Sequence, residues 1–443
     1  MKEVKKYLVL ILISTGFTAQ PQQVTFYEHV APILYQHCTP CHSPGNIGPF
    51  PLIEYEDVKN HATTIGYVTQ KRYMPPWDAD NSYSHFSNVN VLSNAEIKTI
   101  QDWIKNGLKA GDKTKLQKKP LLFIGKELGK PDLILKMPSA IFLPADNKER
   151  FYQIKIPFEL PEPKMVCHCE FVPGNKKVVH HMDAYLLTTS PYINVHQPPY
   201  FTEVKFKTFR EVMQYMNMIG PDGKLPTTGE IAISDYFPGS MSVQFPKGIY
   251  RNFVMPKKGA FYIDKMHYGG SSKPETDQSY FKIYFCKEKV QRSVIGFTLG
   301  SPDGKITPPL SIPAETVKKF RAEEYLKADM SLLAVQAHMH LLGRKFKAYA
   351  ISPKKDTIKI LKINDWDFRW QRVYKFKNIV KIPAGSTIYA EAEYDNTSNN
   401  PYNPNSPPQQ VNHSINTKDE MLQLWLYFLP YKPGDEKMDL EKL

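Results

Sequence analysis

Apolar and polar positions change their period twice along the chain. Residues 7–13 form a short unbroken apolar run behind Lys2, Lys5 and Lys6, and residues 14–20 turn small and polar. A basic end, a short apolar stretch and a small-residue zone near Ala19 predict an export signal over residues 1–20. Phe17 occupies a position where a small residue is preferred, so an uncleaved N-terminal anchor is the other reading. The run is far shorter than the ~20 residues that span a bilayer, and no later stretch is long and apolar enough. Residues 24–110 have helical spacing: Phe26, Val30, Ile33 and Leu34 share one face, and Ile97, Ile100, Trp103 and Ile104 mark an amphipathic helix over 94–108. Residues 111–129 open on a lysine-rich, apolar-poor stretch that predicts a solvated linker. From Pro131 the period falls to two, in segments such as 151–156, 281–285 and 388–394 punctuated by turn residues, as antiparallel sandwiches require. A turn-rich stretch over 300–313 places a division near residue 292, giving β-rich domains over 130–291 and 292–436. No internal repeat is visible.

Composition agrees with this layout. A chain of 443 residues accommodates about three domains at ~150 residues each. Apolar residues at 42% and charged residues at 23% exclude wholesale disorder. Proline (37) outnumbers glycine (23), which argues against long helical bundles and for strands joined by structured loops. The net charge of +13 raises nucleic acid or a membrane surface as partners. Three lysines and one glutamate leave with the signal, so the exported chain carries about +11 by the same count. The remaining lysines are scattered, as at Lys257, Lys258, Lys345, Lys347, Lys354 and Lys355, with no basic helix and no nucleic-acid motif. The charge therefore reads as a solvated surface, favourable to anionic reductants or an acidic electron donor.

Candidate chemistry begins at Cys38-Thr39-Pro40-Cys41-His42. Two thiols at this spacing can add to the two vinyl groups of a haem and set His42 beneath the iron. Met74, stiffened by Pro75 and Pro76, is the candidate second axial ligand. A redox dithiol would call for a βαβ scaffold, and zinc would need two more ligands where His61 and His85 lack matching spacing. The region resembles a small class I-type cytochrome c domain. That resemblance covers about 85 residues and implies one-electron transfer through a covalently attached haem c.

Histidines then fall into local groups: His180-His181-Met182, His267-Tyr268-Gly269, His338-Met339-His340, and finally Asp419-Glu420-Met421. Neighbouring residues of a strand face opposite ways, so His180 and His181 can meet one ion only at a strand end or bulge. His338 and His340 share a strand face and converge without distortion. Taken singly, His267 reads as an ordinary hydrogen-bonded histidine and Met421 as core filler.

In this order the groups resemble the ligand sequence of the type II copper, ascorbate-dependent monooxygenases, the family of the peptidylglycine α-hydroxylating enzyme and dopamine β-monooxygenase. The resemblance covers roughly residues 130–432. It implies two tandem all-β antiparallel jelly-roll sandwiches behind the small all-α cytochrome c-like domain, with two copper ions facing each other across a cleft. His180, His181 and His267 would hold an electron-transfer copper; His338, His340 and Met421 would hold the catalytic copper that meets O2. The soft thioether of Met421 favours the reduced ion. The implied partners are a small-molecule or short organic substrate, O2 and an external reductant, either ascorbate or a redox protein.

Departures from the family pattern bear on the substrate. Gln336 stands where the peptidylglycine enzyme has a carboxylate-gripping arginine, and Gln423 and Trp425 replace an asparagine and a tyrosine. Without a bidentate cation, a glycine-extended peptide is a poor substrate candidate. The family's set of disulfides is absent. Cys167, Cys169 and Cys286 allow one bridge, an accessory metal site or plain buried thiols.

The expectation is therefore a periplasmic or secreted copper monooxygenase whose fused haem feeds the tri-histidine copper. A non-enzymatic haem and copper electron-transfer or copper-handling protein is the alternative. A zinc hydrolase is disfavoured, because no H-E-x-x-H pattern accompanies His338 or His340.

Overall fold

The computed structural model describes residues 23–44, 46, 48–116, 128–206, 208–230, 245–301, 305–414 and 416–440. The signal expected over 1–20 lies outside the described residues. Among the described residues, no helix is long and apolar enough to cross a membrane.

Helices concentrate at the start. A wide turn over Phe26–Val30 runs into the helix Ala31–His37, followed by Tyr55–Asn60, Ala62–Gln70 and Asn94–Lys105. The last begins where its sequence dictates. The Ser93 hydroxyl accepts from the Glu96 N–H at 3.2 Å, and the Glu96 carboxylate accepts from the Ser93 N–H at 2.7 Å, a reciprocal cap of two orphan donors. Its apolar stripe buries Ile100 and Trp103 against Phe26, Val30, Leu34, Val58 and Ile65 in one core. The basic stretch that follows folds back on this module. The Phe26 and Tyr27 N–H groups donate to the carbonyls of Lys109 and Ala110, Leu116 packs on the core, and Lys115 stays exposed while pairing with Glu28 at 2.9 Å.

The first β unit stacks two sheets. Leu133–Lys136, Tyr280–Phe285, Lys164–Val172 and Phe253–Met255 form one; Phe201–Glu203, Arg150–Glu159, Lys258–Tyr268, Ala184–Thr188 and Thr227–Glu230 form the other, with short Val179–His181 also paired to Lys258–Tyr268. Alternation along each strand turns Cys169, Phe171, Phe281 and Ile283 of one sheet toward Ile154, Ile156, Phe261 and Ile263 of the other. Cys167 and Cys286 are disulfide-bonded, Cα to Cα 4.9 Å, and Cys169 is a buried free thiol.

The second β unit repeats the plan. Ile295–Gly300, Gln423–Pro430, Met330–His338 and Val373–Ile382 face the five-stranded sheet containing Val317–Tyr325, Thr387–Asp395, Gly343–Ile351 and Thr357–Ile363. Ile249 and Val294 of the preceding segment bury themselves with Leu333, Ala334, Tyr427 and Leu429 on its outer face. That contact brings the two units together.

The helical module does not hang free. Its loop after Tyr73 enters the second unit, where Ala79 and Phe86 join the core and Trp77 packs beside them. Ala79 bridges Ile363 and Phe86 bridges Phe376, each antiparallel. Asp80 N–H donates to Lys362 O at 2.8 Å, Ser87 N–H to Lys375 O at 2.8 Å, and Lys377 N–H to His85 O at 3.0 Å.

Candidate functional site

The first histidine cluster forms where a strand ends. His181 lies opposite His267 and Val179 opposite Tyr268, with a register shift between the two pairs. That irregularity lets His180 and His181, neighbours in sequence, both approach His267. Ring centroids are 5.0 Å apart for His180 and His267 and 4.8 Å for His181 and His267. Gly269 is required here: a Cβ on it would lie 2.5 Å from His180 Nε2. The Nδ1 atoms of His181 and His267 face each other at 3.2 Å. That spacing suits a hydrogen bond between opposite tautomers, and equally two ligands ~2.0 Å from one ion. Phe151 stacks on His267 at 4.4 Å, and Glu149 Oε2 stands 3.6 Å from its Nε2. Burial, with neighbouring histidines adding to it, pushes His180 and His181 below their ordinary pKa, so both are held neutral.

At the second cluster, His338 closes the strand Met330–His338 and His340 follows two residues on, centroids 5.0 Å apart. His340 Nδ1 donates to the Asp419 carbonyl at 2.9 Å. His338 Nδ1 donates to the side-chain oxygen of Gln371, whose Nε2 is committed to the Phe368 carbonyl at 3.0 Å. An acceptor on each Nδ1 leaves the lone pair on Nε2 in both rings. Burial holds His340 down at about 3 and lowers His338 as well. Glu420 assembles the rest. Fully buried, its carboxylate accepts from the N–H groups of His340 (2.8 Å), Leu342 (2.7 Å) and Met421 (3.2 Å), tying the histidine turn to the methionine segment. Burial pushes its pKa up to about 8. Tyr394 fixes Met421 further by donating to its carbonyl at 2.7 Å.

The clusters are neighbours. His181 lies within electrostatic reach of both His338 and His340. A cavity of about 440 Å³ opens beside them, lined by Glu149 and Phe151 from the first unit and Asn416, Thr417, Lys418 and Asp419 from the second. Among the described residues, no three His, Cys, Asp or Glu side chains are placed so that they could hold a metal ion together. In the first cluster the His181 and His267 Nδ1 atoms are 3.2 Å apart, and both His180 and His181 stand edge-on to the His267 ring. The second offers two imidazoles and a thioether.

Gln336 is buried opposite Trp425, and Gln423 lies opposite His338. Gln423 donates to Ser301 O at 2.6 Å and accepts from Trp425 Nε1 at 3.3 Å. The Gln336 side-chain oxygen has no partner among the described residues.

In the helical module Cys38 and Cys41 are free thiols, and burial pushes Cys38 up to about 12 and Cys41 upward. His42 Nδ1 donates to the Phe50 carbonyl at 3.0 Å, leaving the lone pair on Nε2. A Cβ on Gly48 would lie 2.8 Å from the His42 ring, so that close turn also needs glycine. Met74 follows the helix Ala62–Gln70, half-buried, with its N–H on Val68 O at 3.2 Å.

Residues 297–441 match the family of copper type II ascorbate-dependent monooxygenases, C-terminal domain. The second β unit belongs to this family. His338, His340 and Met421 all lie inside the monooxygenase match. None of the curated proteins matches the chain. Among solved structures, it is similar to the infectious bursal disease virus VP2 subviral particle (8% identity, 70% of this chain and 74% of that chain, TM-score 0.18). It is also similar to infectious bursal disease virus Gx strain (9% identity, 72% and 86%, TM-score 0.15). Likeness at that level carries no argument about this monooxygenase domain.

Sequence patterns assign no role to Glu420, Gln371, Glu149 or Phe151. Glu420 sits beside Met421 in the chain, a weak signal; Gln371 and Phe151 are 33 and 116 residues from the histidines they touch, and only folding brings them there.

Proposed function

We propose that the chain is an exported copper-dependent monooxygenase that hydroxylates a C–H bond of a small organic substrate with O2, its electrons supplied through a fused c-type haem. The observation that carries this reading is the second cluster. Two imidazoles, His340 buried and His338 half-buried, have their Nδ1 atoms committed and the lone pair kept on Nε2, and Glu420 ties the backbone at His340 to that at Met421 within the family-matched domain.

His338, His340 and Met421 would hold the oxygen-binding copper, and His180, His181 and His267 the electron-transfer copper, in two facing jelly-roll sandwiches. The donor sets fit: neutral imidazoles suit either oxidation state, and a thioether favours Cu(I). Cys38 and Cys41 would carry the haem with His42 and Met74 as axial ligands, making the helical module cytochrome c-like; the uncommitted Nε2 of His42 fits that role. When bound, copper supplies O2 binding and one-electron steps, and haem supplies one-electron storage.

The chain's own residues do the remainder. Glu420, Gln371 and the Asp419 carbonyl hold the second set of donors in place before any ion arrives, the role of outer-shell partners generally. The inter-unit cavity would admit substrate beside the clusters. Gln336 and Trp425 in place of an arginine and a tyrosine favour a substrate without a buried carboxylate. Export is supported by the Cys167–Cys286 disulfide, which persists in an oxidising compartment. Ascorbate or a redox protein is the external reductant.

Metal analysis of the reconstituted chain should give two coppers and one haem. Oxygen uptake should be coupled to a hydroxylated product, found by mass spectrometry over a panel of C–H donors. Met421→Ala should abolish product while haem reduction continues. A chain that binds the metals and passes electrons yet hydroxylates nothing is instead an electron-transfer or copper-handling protein.

A further inference from the structure

Asp277 ends the short strand Glu275–Asp277 and is buried, 1% exposed. Its carboxylate accepts from three neutral donors. Oδ1 takes the Asn175 N–H at 2.8 Å, Oδ2 takes the Tyr268 hydroxyl at 2.8 Å, and the Ser279 hydroxyl lies 2.7 Å from Oδ2. A buried carboxyl held by neutral donors alone is a weak source of stability beside an apolar side chain of the same size. Its place in the core therefore calls for another reason, and the identity of the donors supplies one.

Two of the donors belong to the two segments that meet in the first histidine cluster. Asn175 opens the turn that leads into His180 and His181. Its carbonyl accepts from the Val178 and Val179 N–H groups at 3.3 and 3.1 Å, and its side-chain amide donates to Glu275 Oε2 at 2.8 Å. Tyr268 ends the strand Lys258–Tyr268 and follows His267 directly. Successive side chains of a strand point to opposite faces. Tyr268 is fully buried in the core between the sheets, while His267 stacks on Phe151. Anchoring the Tyr268 hydroxyl thus fixes the roll of the strand, and with it the direction of the His267 ring. The backbone bond from Gly269 N–H to Val178 O, 2.8 Å, joins the same two segments but sets no side-chain direction.

We infer that Asp277 is the positioning residue of the first cluster: one carboxylate clasps the turn carrying His180 and His181 to the strand carrying His267, and so sets the three imidazoles relative to one another before any ion binds. Asp277 acts through Asn175 and Tyr268 rather than on the imidazoles themselves. This deepens the proposed copper reading and rests on it. Glu420 has the corresponding place in the second cluster, where its buried carboxylate accepts from His340, Leu342 and Met421.

The full chain carrying His338→Ala with His340→Ala leaves copper to the first cluster. Cu(II) is titrated into it against a chelator, at a temperature where circular dichroism shows every variant folded. Asp277→Ala and Tyr268→Phe should each lower Cu(II) affinity about 10-fold, the scale of outer-shell partners, and shift the hyperfine pattern of the Cu(II) paramagnetic spectrum. Phe158→Ala is the structural control. Phe158 is buried in the same core, opposite Gly259 and far along the strand from His267. Its loss should lower the melting temperature yet leave Cu(II) affinity within about twofold. Should Asp277→Ala fail to fold, Tyr268→Phe, which removes a single hydroxyl, decides. Asp277 and Tyr268 variants that lose stability but bind Cu(II) as the parent does overturn this inference and leave the proposed function standing, as does an equal loss of affinity in Phe158→Ala. A parent that takes up no Cu(II), or loses none on His181→Ala, overturns both.

Discussion

Gln371 accepts the Nδ1–H of His338, and its own amide nitrogen is spent on the Phe368 carbonyl. The amide therefore cannot rotate without losing a bond, and the tautomer of His338 is set before any ligand arrives. Gln371→Leu should lower copper affinity at this cluster by about 10- to 100-fold. Gln371→Glu, which keeps an acceptor, should lose much less. Chelator-competition titrations on both variants check this; equal affinities would show that the amide orients nothing.

Gly269 makes room for a ring rather than for a turn. Its added Cβ would fall 2.5 Å from His180 Nε2, and its φ is not in the left-handed region. Gly269→Ala should displace His180 and drop copper stoichiometry from two to one, with circular dichroism unchanged. Retention of both coppers would place His180 outside the ligand set.

Phe86 belongs to the helical module in sequence and to the second sandwich in packing, where it is 6% exposed. Phe86→Ala should cost about 3–5 kcal/mol at that contact. The loop over 77–92 should then become sensitive to limited proteolysis at temperatures where the parent resists, while both sandwiches stay folded.

Asp78 sits at the same contact with its carboxyl pushed up to about 6, burial being the leading cause. A folded-state pKa above the unfolded value of 3.8 means the folded chain keeps a proton that the unfolded chain has released. Stability is therefore undiminished below about pH 4 and falls as pH rises through 4 to 6, by roughly 3 kcal/mol in all. Asp78→Asn should flatten this slope and raise the melting temperature at pH 7. Thermal scans at pH 4.5 and 7 distinguish the two slopes.

Much of the architecture was legible because it is local. The helix Asn94–Lys105 announces itself through Ser93, Glu96 and the spacing of Ile100 and Trp103. Strands such as Thr387–Asp395 announce themselves through strict alternation, and every second residue from Ile388 to Tyr394 is buried accordingly. His338 and His340 were legible as a pair for the same reason: two residues on one strand face need no long-range contact to converge. His180 and His181 were legible only conditionally, since adjacency demanded an irregularity, and the register shift at His267 supplies it. The three cysteines outside Cys38-Thr39-Pro40-Cys41-His42 left several states open; the strand pairing that sets Phe285 beside Val166 decides for Cys167 and Cys286 and buries Cys169.

By itself, then, the sequence determined the periods, the caps and the order of the histidine and methionine groups, because these depend on neighbours within a few residues. Tertiary structure alone decided which acceptor each imidazole meets, that Glu420 clasps both halves of the second cluster, and that the helical module is docked rather than tethered. Each of those is a contact between segments far apart in the chain. Its partner is chosen by how two buried surfaces fit, and no local pattern encodes that fit.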